Sequence, residues 1–335
     1  MKIALVILNW NGKELLEKFL PSIIKYSNID NVEIVLADNA STDDSINFIK
    51  NNYPSVTIVE NEKNGGYSKG YNDALKKVKA DIYGLVNSDL EVTENWLTPI
   101  ISIFKNEPET VITQPKILDY KNKQYFEHAG AAGGFIDKYG YPFCRGRIFS
   151  ELEKDTNQFN DISEIFWASG ACFFVRSKVF NDLNGFDEDY FSHQEEIDLC
   201  WKVQNLNYKI KYIGTSTIYH VGAATLKEES PQKTFLNFRN SLFTLLKNVP
   251  KKMLFGVLFT RFILDGIAGA KFFIELKPKH TLAIIKAHIS FYKMSGKMYK
   301  KRNNQFKKSN YFKVDSIILA HFIKGKKKYN DLIKK

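Results

Sequence analysis

Four short apolar runs in the first ninety residues constrain the fold of this chain more than any other feature. They are residues 2–8, 32–37, 56–59 and 82–86. Each has the length and composition of a strand that is buried on both faces of a sheet. The segments between them place apolar residues at helical spacing. Strands that alternate with helices predict an α/β fold, with a mostly parallel sheet flanked by helices.

Short polar residues stand at the end of these runs or soon after. They are Asn9, Asp38-Asn39, Asn64-Gly65-Gly66 and Asn87-Ser88-Asp89. Parallel sheets bind ligands beyond the carboxyl ends of their strands. Four polar ends on one rim therefore predict a site for a polar ligand. The alternative is that Asn, Asp and Gly are ordinary turn residues, which accounts for each end alone better than for all four together.

Two common nucleotide-binding motifs are excluded at this rim. A dinucleotide fold needs G-x-G-x-x-G directly after the first strand, where this chain has Asn9-Trp10-Asn11-Gly12. A P-loop needs G-K-[ST] at the head of a helix, and residues 65–70 lack it. The polar ligand must be recognised in another way.

Residues 185–201 combine six carboxylates with four large aromatic side chains. The carboxylates are Asp187, Glu188, Asp189, Glu195, Glu196 and Asp198. Acidic groups held against apolar surface have shifted pKa values and can serve as acids or bases. The alternative is a solvated acidic loop that leads into an amphipathic helix. Ser192 and Glu195 have the spacing of a capping box, which predicts a helix with Ser192 as N-cap and with Leu199, Val203 and Leu206 buried.

The net charge of +11 is divided unevenly along the chain. Residues 235–335 contain 23 Lys+Arg and 4 Asp+Glu, a net charge of +19, which leaves −8 for the rest. We place a domain boundary where Pro231 interrupts the pattern, with one domain at 1–230 and a helical, basic region at 231–335. The three cysteines form no metal-type pair, which favours a reducing, cytoplasmic compartment.

The basic region contains an apolar stretch at 253–270 and several lysine clusters. At 100° per residue, Arg261, Asp265, Lys271 and Glu275 form one narrow polar stripe, which predicts an amphipathic helix with a broad apolar arc. Lysine clusters follow at 300–302, 307–308 and 324–328. An anionic membrane surface is the partner we favour. A solvated helical cap without a partner is the alternative, and nucleic acid is disfavoured because no recognition motif is present.

The motifs also occur in a familiar order. VILNWNG, DNAS, NGGYSKGYNDA and NSD are followed by WASGACFFVRSKVF, GFDEDYFSHQEEIDLCW and Tyr219-His220. This order resembles the nucleotide-sugar-binding half of family 2 glycosyltransferases with the GT-A fold, and the rhamnosyltransferase-like members in particular. The resemblance covers about the first 225 residues.

The resemblance implies roles for the polar strand ends. Asp38 and Asn39 would grip the base or ribose of a nucleoside-diphosphate-sugar donor, with Asn9 beside them. The third segment would approach the donor through Asn64, Gly66 and Asn72. Asn87-Ser88-Asp89 matches the family's D-x-D, with Asn87 in place of the first aspartate. Asp89 and His220 would then hold Mg²⁺ or Mn²⁺. The alternative for His220 is a hydrogen-bonded structural role.

The resemblance also implies an acceptor side. Trp167, Ser169, Gly170 and Asp187 would line the pocket for the donor sugar and the acceptor. The family's catalytic base falls on Glu196, a glutamate in place of an aspartate, next to Glu195, which the capping box would claim.

The resulting prediction is a metal-dependent, inverting glycosyltransferase. It would move a sugar to a hydroxyl of a growing cell-surface glycan, possibly lipid-linked, from a position at the inner face of the plasma membrane. The alternatives are a sugar nucleotidyltransferase and a degenerate, membrane-anchored sugar-nucleotide-binding module without turnover. The donor sugar, the base, the acceptor and the oligomeric state stay open.

Overall fold

The computed structural model describes residues 1–222, 230–302 and 310–333. In this part of the chain, thirteen strands form a nine-stranded sheet and a separate four-stranded sheet. The strands are β1 (Ile3–Asn9), β2 (Val32–Asp38), β3 (Thr57–Glu60), β4 (Ile82–Asn87), β5 (Leu90–Val92), β6 (Thr110–Asp119), β7 (Gly134–Ile136), β8 (Pro142–Cys144), β9 (Arg147–Ile148), β10 (Glu151–Leu152), β11 (Ile162–Glu164), β12 (Cys172–Arg176) and β13 (Lys209–His220).

Helices connect these strands and form the whole of the region after residue 230 that the structure describes, apart from short loops. They are α1 (Lys13–Tyr26), α2 (Ser45–Asn52), α3 (Gly66–Leu75), α4 (Leu97–Asn106), α5 (Ser177–Asp182), α6 (Glu195–Asn205), α7 (Pro231–Asn248), α8 (Lys251–Ile274), α9 (Pro278–Lys300) and α10 (Tyr329–Ile333). A 3₁₀ turn at Glu188–Tyr190 and a π-helical turn at Leu319–Ile323 complete the set.

The main sheet has the order β11-β13-β6-β12-β4-β1-β2-β3, with β5 paired to β13. β1 lies parallel to both β2 and β4, and β2 lies parallel to β3. The predicted parallel sheet is therefore confirmed for the first four runs. β12 is antiparallel to both of its neighbours, which the sequence pattern did not predict.

Alternating residues of the central strand serve two cores. Ile3, Leu5 and Ile7 of β1 pack with α1, α2 and α4 on one face. Ala4 and Val6 face the other core, which includes residues of α3 and α6. This arrangement, with helices on both faces, brings the carboxyl ends of β1, β2 and β4 to one rim.

The basic tail packs onto the front part of the chain through α7, α8 and α9. The predicted polar stripe of α8 is divided, because Arg261 and Asp265 are buried whereas Lys271 and Glu275, at the end of the helix, are exposed. The Arg261 guanidinium donates to Asp265 over 2.7 Å and lies over the ring of Tyr141. The apolar arc of α8 consequently faces outward. Lys307 and Lys308, named above as a cluster, lie outside the described residues.

Candidate functional site

The ends of β1 and β2 meet in register, with Asn9 opposite Asp38. The Asn9 amide donates to Asp38 Oδ1 over 3.1 Å and to Ser41 Oγ over 3.2 Å, and the Ser41 backbone N–H donates to the other carboxylate oxygen. Asn9 Oδ1 is buried without a hydrogen-bond partner. The Asp38 carboxylate is thus oriented by its neighbours, and an acceptor atom beside it stays unused.

Asn39 joins the second strand end to the turn before α3. Its amide donates to Asn64 Oδ1 over 3.0 Å and to the Gly66 carbonyl over 3.1 Å. Gly66 has a φ of 73°, and a Cβ built there would lie 2.6 Å from the Phe191 carbonyl oxygen. Only glycine fits this position, because a side chain would clash with backbone as well as strain it.

Asn72, predicted to contact the donor, has its amide engaged elsewhere. Its Oδ1 accepts from the Phe186 N–H over 3.0 Å, and its Nδ2 donates to the Phe186 carbonyl over 2.9 Å and to Glu188 over 3.3 Å. The structure therefore places Asn72 as a link between α3 and the acidic stretch, residues 185–201. A role as a donor ligand would require these bonds to break.

The fourth strand end contributes a half-buried Asn87 and a buried Asp89. Asp89 Oδ1 lies 3.2 Å from His220 Nε2, at the end of β13. On the other side of the ring, His220 Nδ1 lies 3.3 Å from Glu127 Oε1. Burial disfavours a charged imidazole, but Glu127 and Asp89 together raise the pKa of His220 to about 10. Sequence reasoning missed Glu127, which follows no strand end and belongs to no motif.

Two of the predicted pocket residues are structural. Trp167 is 4% exposed, its indole N–H donates to the Phe135 carbonyl, and its ring covers Gly134. Because so little of the ring is exposed, the place of Trp167 in the sugar pocket stays a prediction that its burial does not favour. Ser169 is also buried and bonds to the Ala129 carbonyl.

Gly170, by contrast, lies beside the acidic stretch. A Cβ built on it would lie 3.3 Å from Tyr67 Oη and 3.8 Å from Glu196 Cδ. The Tyr67 hydroxyl donates to the Gly170 carbonyl over 2.7 Å. A side chain at Gly170 would crowd this space, so the small residue keeps the approach to Glu196 open.

The helix of the acidic stretch begins later than the capping box predicts. α6 starts at Glu195 after Gln194, which has a left-handed backbone and makes no side-chain cap. The Ser192 hydroxyl is buried without a partner, so the predicted capping box is wrong. Glu195 is the first helical residue and has no capping role. Leu199 and Val203 are buried as predicted, whereas Leu206 is 41% exposed.

Lysines contact four of the six carboxylates, and the longest of these contacts joins Lys69 to Glu188 over 3.7 Å. Asp187 bonds to Lys247 and Lys301, and Asp198 bonds to Lys247 over 2.7 Å and to Lys202 over 2.8 Å. Asp189 bonds to Lys301 and to a further tail lysine. Asp187 is a buried part of this ion-pair network with α7 and α9, and its place in the acceptor pocket stays a prediction.

Glu195 and Glu196 are different. Within the described residues neither makes an ion pair, and Oε2 of each is buried without a hydrogen-bond partner. Burial, and then the neighbouring Glu196, raise the pKa of Glu195 well above its usual value. Burial raises the pKa of Glu196 to about 7, against the opposing effect of backbone N–H groups at the start of α6. Glu196 therefore titrates near neutral pH, as an acid or base must, and the pKa of Glu195 is raised in the same direction.

Sequence reasoning also missed a polar face on α7. Asn240, Thr244, Lys247 and Asn248 are all buried and all contact residues 187–198. Their spacing of four, three and one residues was visible in the sequence. The leucines and phenylalanines between them dominate the composition of this stretch, so the polar face is not evident from composition alone.

Comparison with known proteins gives a consistent result. The model of glycosyl transferase family 2 matches residues 4–183. A low-salt glycan biosynthesis hexosyltransferase of Haloferax volcanii is 21% identical over 71% of this chain and 73% of its own. An N-acetylglucosaminyl-diphospho-decaprenol L-rhamnosyltransferase of Mycobacterium tuberculosis is 24% identical over 61% of this chain and 71% of its own.

Solved structures agree on the fold. The N-acetylgalactosaminyltransferase GalNAc-T7, with UDP, GalNAc and Mn²⁺, is similar with a TM-score of 0.60 at 18% identity, over 75% of this chain and 48% of that chain. A mannosyltransferase of Pyrobaculum calidifontis, with GDP-Man and Mn²⁺, gives 0.53 at 14% identity, over 90% and 83%. Because the family model matches more than half of the sequence, the chain belongs to glycosyl transferase family 2 and is a glycosyltransferase with the GT-A fold that its motifs predict.

Proposed function

We propose that this enzyme transfers a sugar from a nucleoside diphosphate to an acceptor hydroxyl with inversion, and that Glu196 is the base. The observation that carries the proposal is the contrast within residues 185–201. Lysines neutralise Asp187, Asp189 and Asp198, whereas Glu196 is left without a cation and with a pKa near 7. A carboxylate that lacks a paired cation and lies beside the small residue Gly170 is suited to accept a proton.

The donor end of the site is the rim of β1 and β2. The Asp38 carboxylate and the unused Asn9 Oδ1 can accept hydrogen bonds from a base N–H or from ribose hydroxyls. Gly66 allows the backbone of the turn at Asn64 to approach Phe191 closely, which fixes the shape of the donor side. The solved relatives carry UDP or GDP-Man, which supports a donor of this class without identifying the base.

The residues present also fit a divalent cation. Asp89 Oδ1 and His220 Nε2 are 3.2 Å apart, close to the roughly 3 Å that separates adjacent ligands of an octahedral ion with bonds of about 2.1 Å. Glu127 lies at the opposite ring nitrogen, where it would orient His220. With Asn87 in place of the first aspartate, this chain offers two ligands, and donor phosphates would supply others. Bound there, Mg²⁺ or Mn²⁺ would neutralise charge on the leaving diphosphate.

In the transfer step the acceptor hydroxyl attacks the anomeric carbon from the side opposite the diphosphate. The new C–O bond forms as the bond to the diphosphate breaks, and the hydroxyl proton passes to a carboxylate oxygen of Glu196. Burial and the neighbouring Glu196 both raise the pKa of Glu195, so a second negative charge in the pair is disfavoured. One ionised carboxyl in the pair is sufficient for a single proton transfer.

The decisive experiment compares Glu196→Gln with Asp182→Asn, an exposed carboxylate on α5 that pairs only with a surface lysine. We expect Glu196→Gln to lower kcat for transfer about 100- to 10,000-fold, the usual contribution of general base catalysis. The affinity for UDP or GDP in the presence of Mn²⁺, measured by calorimetry, should stay unchanged. Transfer by Glu196→Gln at the rate of Asp182→Asn would reject Glu196 as the base.

We also propose that the acceptor is a lipid-linked glycan, reached from an anionic membrane surface on the cytoplasmic side. Between Lys252 and Lys271 every exposed residue of α8 is apolar or glycine, including Phe255, which is 83% exposed, and Ile267. This face is about 28 Å long at 1.5 Å per residue. α8 is long and apolar enough to cross a bilayer by length and composition, yet it packs one side against the protein. A helix of this kind suits the membrane interface.

The charge on α9 favours a membrane over a second copy of this chain as the partner of this apolar face. Exposed lysines recur every seven residues at 279, 286, 293 and 300, beside the exposed apolar residues Leu282, Ile285 and Ile289. Pairing two copies through this face would bring like charges together, whereas anionic headgroups would neutralise them. The mycobacterial relative is named for a diphospho-decaprenol acceptor, which supports a lipid-linked substrate.

Flotation with vesicles tests this surface. We expect the full chain to float with phosphatidylglycerol-containing vesicles and less with phosphatidylcholine alone. Replacing Phe255, Phe259 and Ile267 with serine should abolish flotation, whereas Ile162→Ser, at an exposed position on β11, should not. Equal flotation of the triple variant, or a dimer in light scattering that the triple variant disrupts, would overturn the proposal.

A further inference from the structure

The loop before α6 has a backbone that its residues do not favour. φ is 65° at Phe191, 68° at His193 and 73° at Gln194, and none of these residues is glycine. L-residues avoid positive φ because Cβ approaches backbone oxygen. Such a conformation persists only where surrounding contacts impose it, and it is common next to active sites. Glu195 and Glu196 follow directly, so the loop sets where both carboxyl groups point.

Asn240, a side chain of the tail, makes three contacts with this loop. Asn240 on α7 is fully buried, and its amide nitrogen lies 3.0, 2.9 and 2.8 Å from the carbonyl oxygens of Tyr190, Ser192 and His193. An amide has two N–H groups, so three acceptors around it share them. The contact orients three peptide units of the strained segment toward one point on α7.

Arg239 fixes the orientation of that amide. Its Nε donates to Asn240 Oδ1 over 2.9 Å, which leaves the Asn240 nitrogen facing the loop. Its Nη2 donates to the carbonyls of Asp189 and Tyr190, each over 3.1 Å. Arg239 and Asn240 together therefore contact four of the five carbonyls from residue 189 to residue 193.

The fifth carbonyl faces the donor side. The Phe191 carbonyl accepts from the Ser68 N–H over 3.2 Å, in the first turn of α3. The same carbonyl lies against Gly66, beside the turn that Asn39 and Asn64 form. The loop is thus held between α7 on one side and the donor-side turn on the other, with the glutamate pair at its end.

We propose that Asn240, oriented by Arg239, is a positioning residue for Glu196. It holds the loop in the conformation that directs the Glu196 carboxylate to the acceptor hydroxyl. This inference rests on the proposed role of Glu196 as base. It makes α7, in the basic tail, a part of the working active site.

Asn240→Asp in the full-length protein tests the inference, because it keeps the size of the side chain and replaces the donating nitrogen with an oxygen. We expect kcat to fall about 10- to 100-fold, as expected for a misplaced catalytic group. The acid limb of the kcat–pH profile should move by at least half a pH unit, since the surroundings of Glu196 change. The Kd of UDP or GDP with Mn²⁺ should change less than threefold.

Ser241→Ala is the matched control. Ser241 is buried on the same helix and accepts from Arg261, but it makes no contact with the loop. We expect it to lower the melting temperature and to leave kcat and the pH profile unchanged.

Wild-type kcat and pH profile in folded Asn240→Asp would overturn the positioning role. If Asn240→Asp does not fold, Arg239→Met is measured in the same way, and wild-type kcat in that variant would overturn it. A failure of the underlying function is separate, because it would show as full activity in Glu196→Gln.

Discussion

Glu196→Gln should stabilise the protein at alkaline pH while it inactivates the enzyme. The carboxyl group has a pKa of 4.5 when unperturbed, and burial raises it to about 7 in the folded protein. Each pH unit between two pKa values corresponds to about 1.4 kcal/mol. Ionising Glu196 inside the folded protein therefore costs about 3 kcal/mol. Glutamine fills the same space without a charge, so it removes this cost.

The sign of the pH dependence follows from which state binds the proton more tightly. The folded protein does, because its pKa is the higher one. The contribution of Glu196 to the free energy of unfolding is thus greatest below pH 4.5 and is lost as the pH rises to about 7. The stability of Glu196→Gln relative to wild type should increase by about 2 to 3 kcal/mol between pH 5 and pH 8.

Urea unfolding at pH 5 and pH 8 measures this difference, with Asp182→Asn as the control on an exposed carboxylate. The control should differ from wild type by the same amount at both pH values. A difference between Glu196→Gln and wild type that stays constant from pH 5 to pH 8 would refute the reasoning. The glutamate would then be ionised in the folded protein without cost, and its burial would have no consequence.

Three further variants test other parts of the structure. Lys247→Met leaves two buried aspartates without their shared cation and should cost about 3 to 5 kcal/mol in urea unfolding, whereas exposed Lys297→Met should cost less than about 1 kcal/mol. Gly66→Ala should weaken UDP or GDP binding at least tenfold through its clash with backbone, while Gly256→Ala, with open space around it, should leave binding unchanged and raise stability slightly. Asp89→Asn should reduce Mn²⁺-dependent donor binding, measured by calorimetry, and equal affinity with and without the change would remove Asp89 from the cation site.

The donor rim was predictable because a parallel sheet places the ends of its strands together. Asn9 and Asp38 are in register once β1 and β2 are recognised as neighbours. No tertiary information beyond that pairing is needed. Glu127 lacked any such signal, because it lies in an irregular segment that reaches His220 only through the path of the folded chain.

The differences between the sequence-based expectations and the structure share one cause. Each of these side chains contacts a residue that lies far from it in the sequence. Trp167 has the aromatic side chain of a residue that stacks on sugars, yet its ring covers the backbone at Gly134. Ser192 has the spacing of a cap, but α7 holds the loop in another conformation. Asp187 is acidic and lies near the site, yet Lys247, sixty positions along the chain, neutralises it. Local patterns cannot contain such distant partners.

The pairing of Lys247 with Asp187 and Asp198 has a consequence for how the protein is made. The chain emerges from the ribosome with the acidic stretch first, and its shared cation follows 60 residues after Asp187 and 49 residues after Asp198. Throughout that interval both aspartates lack their shared cation, although Lys202, the second partner of Asp198, is already present. The nascent enzyme should therefore keep this segment hydrated, and complete its catalytic centre only when α7 has been synthesised.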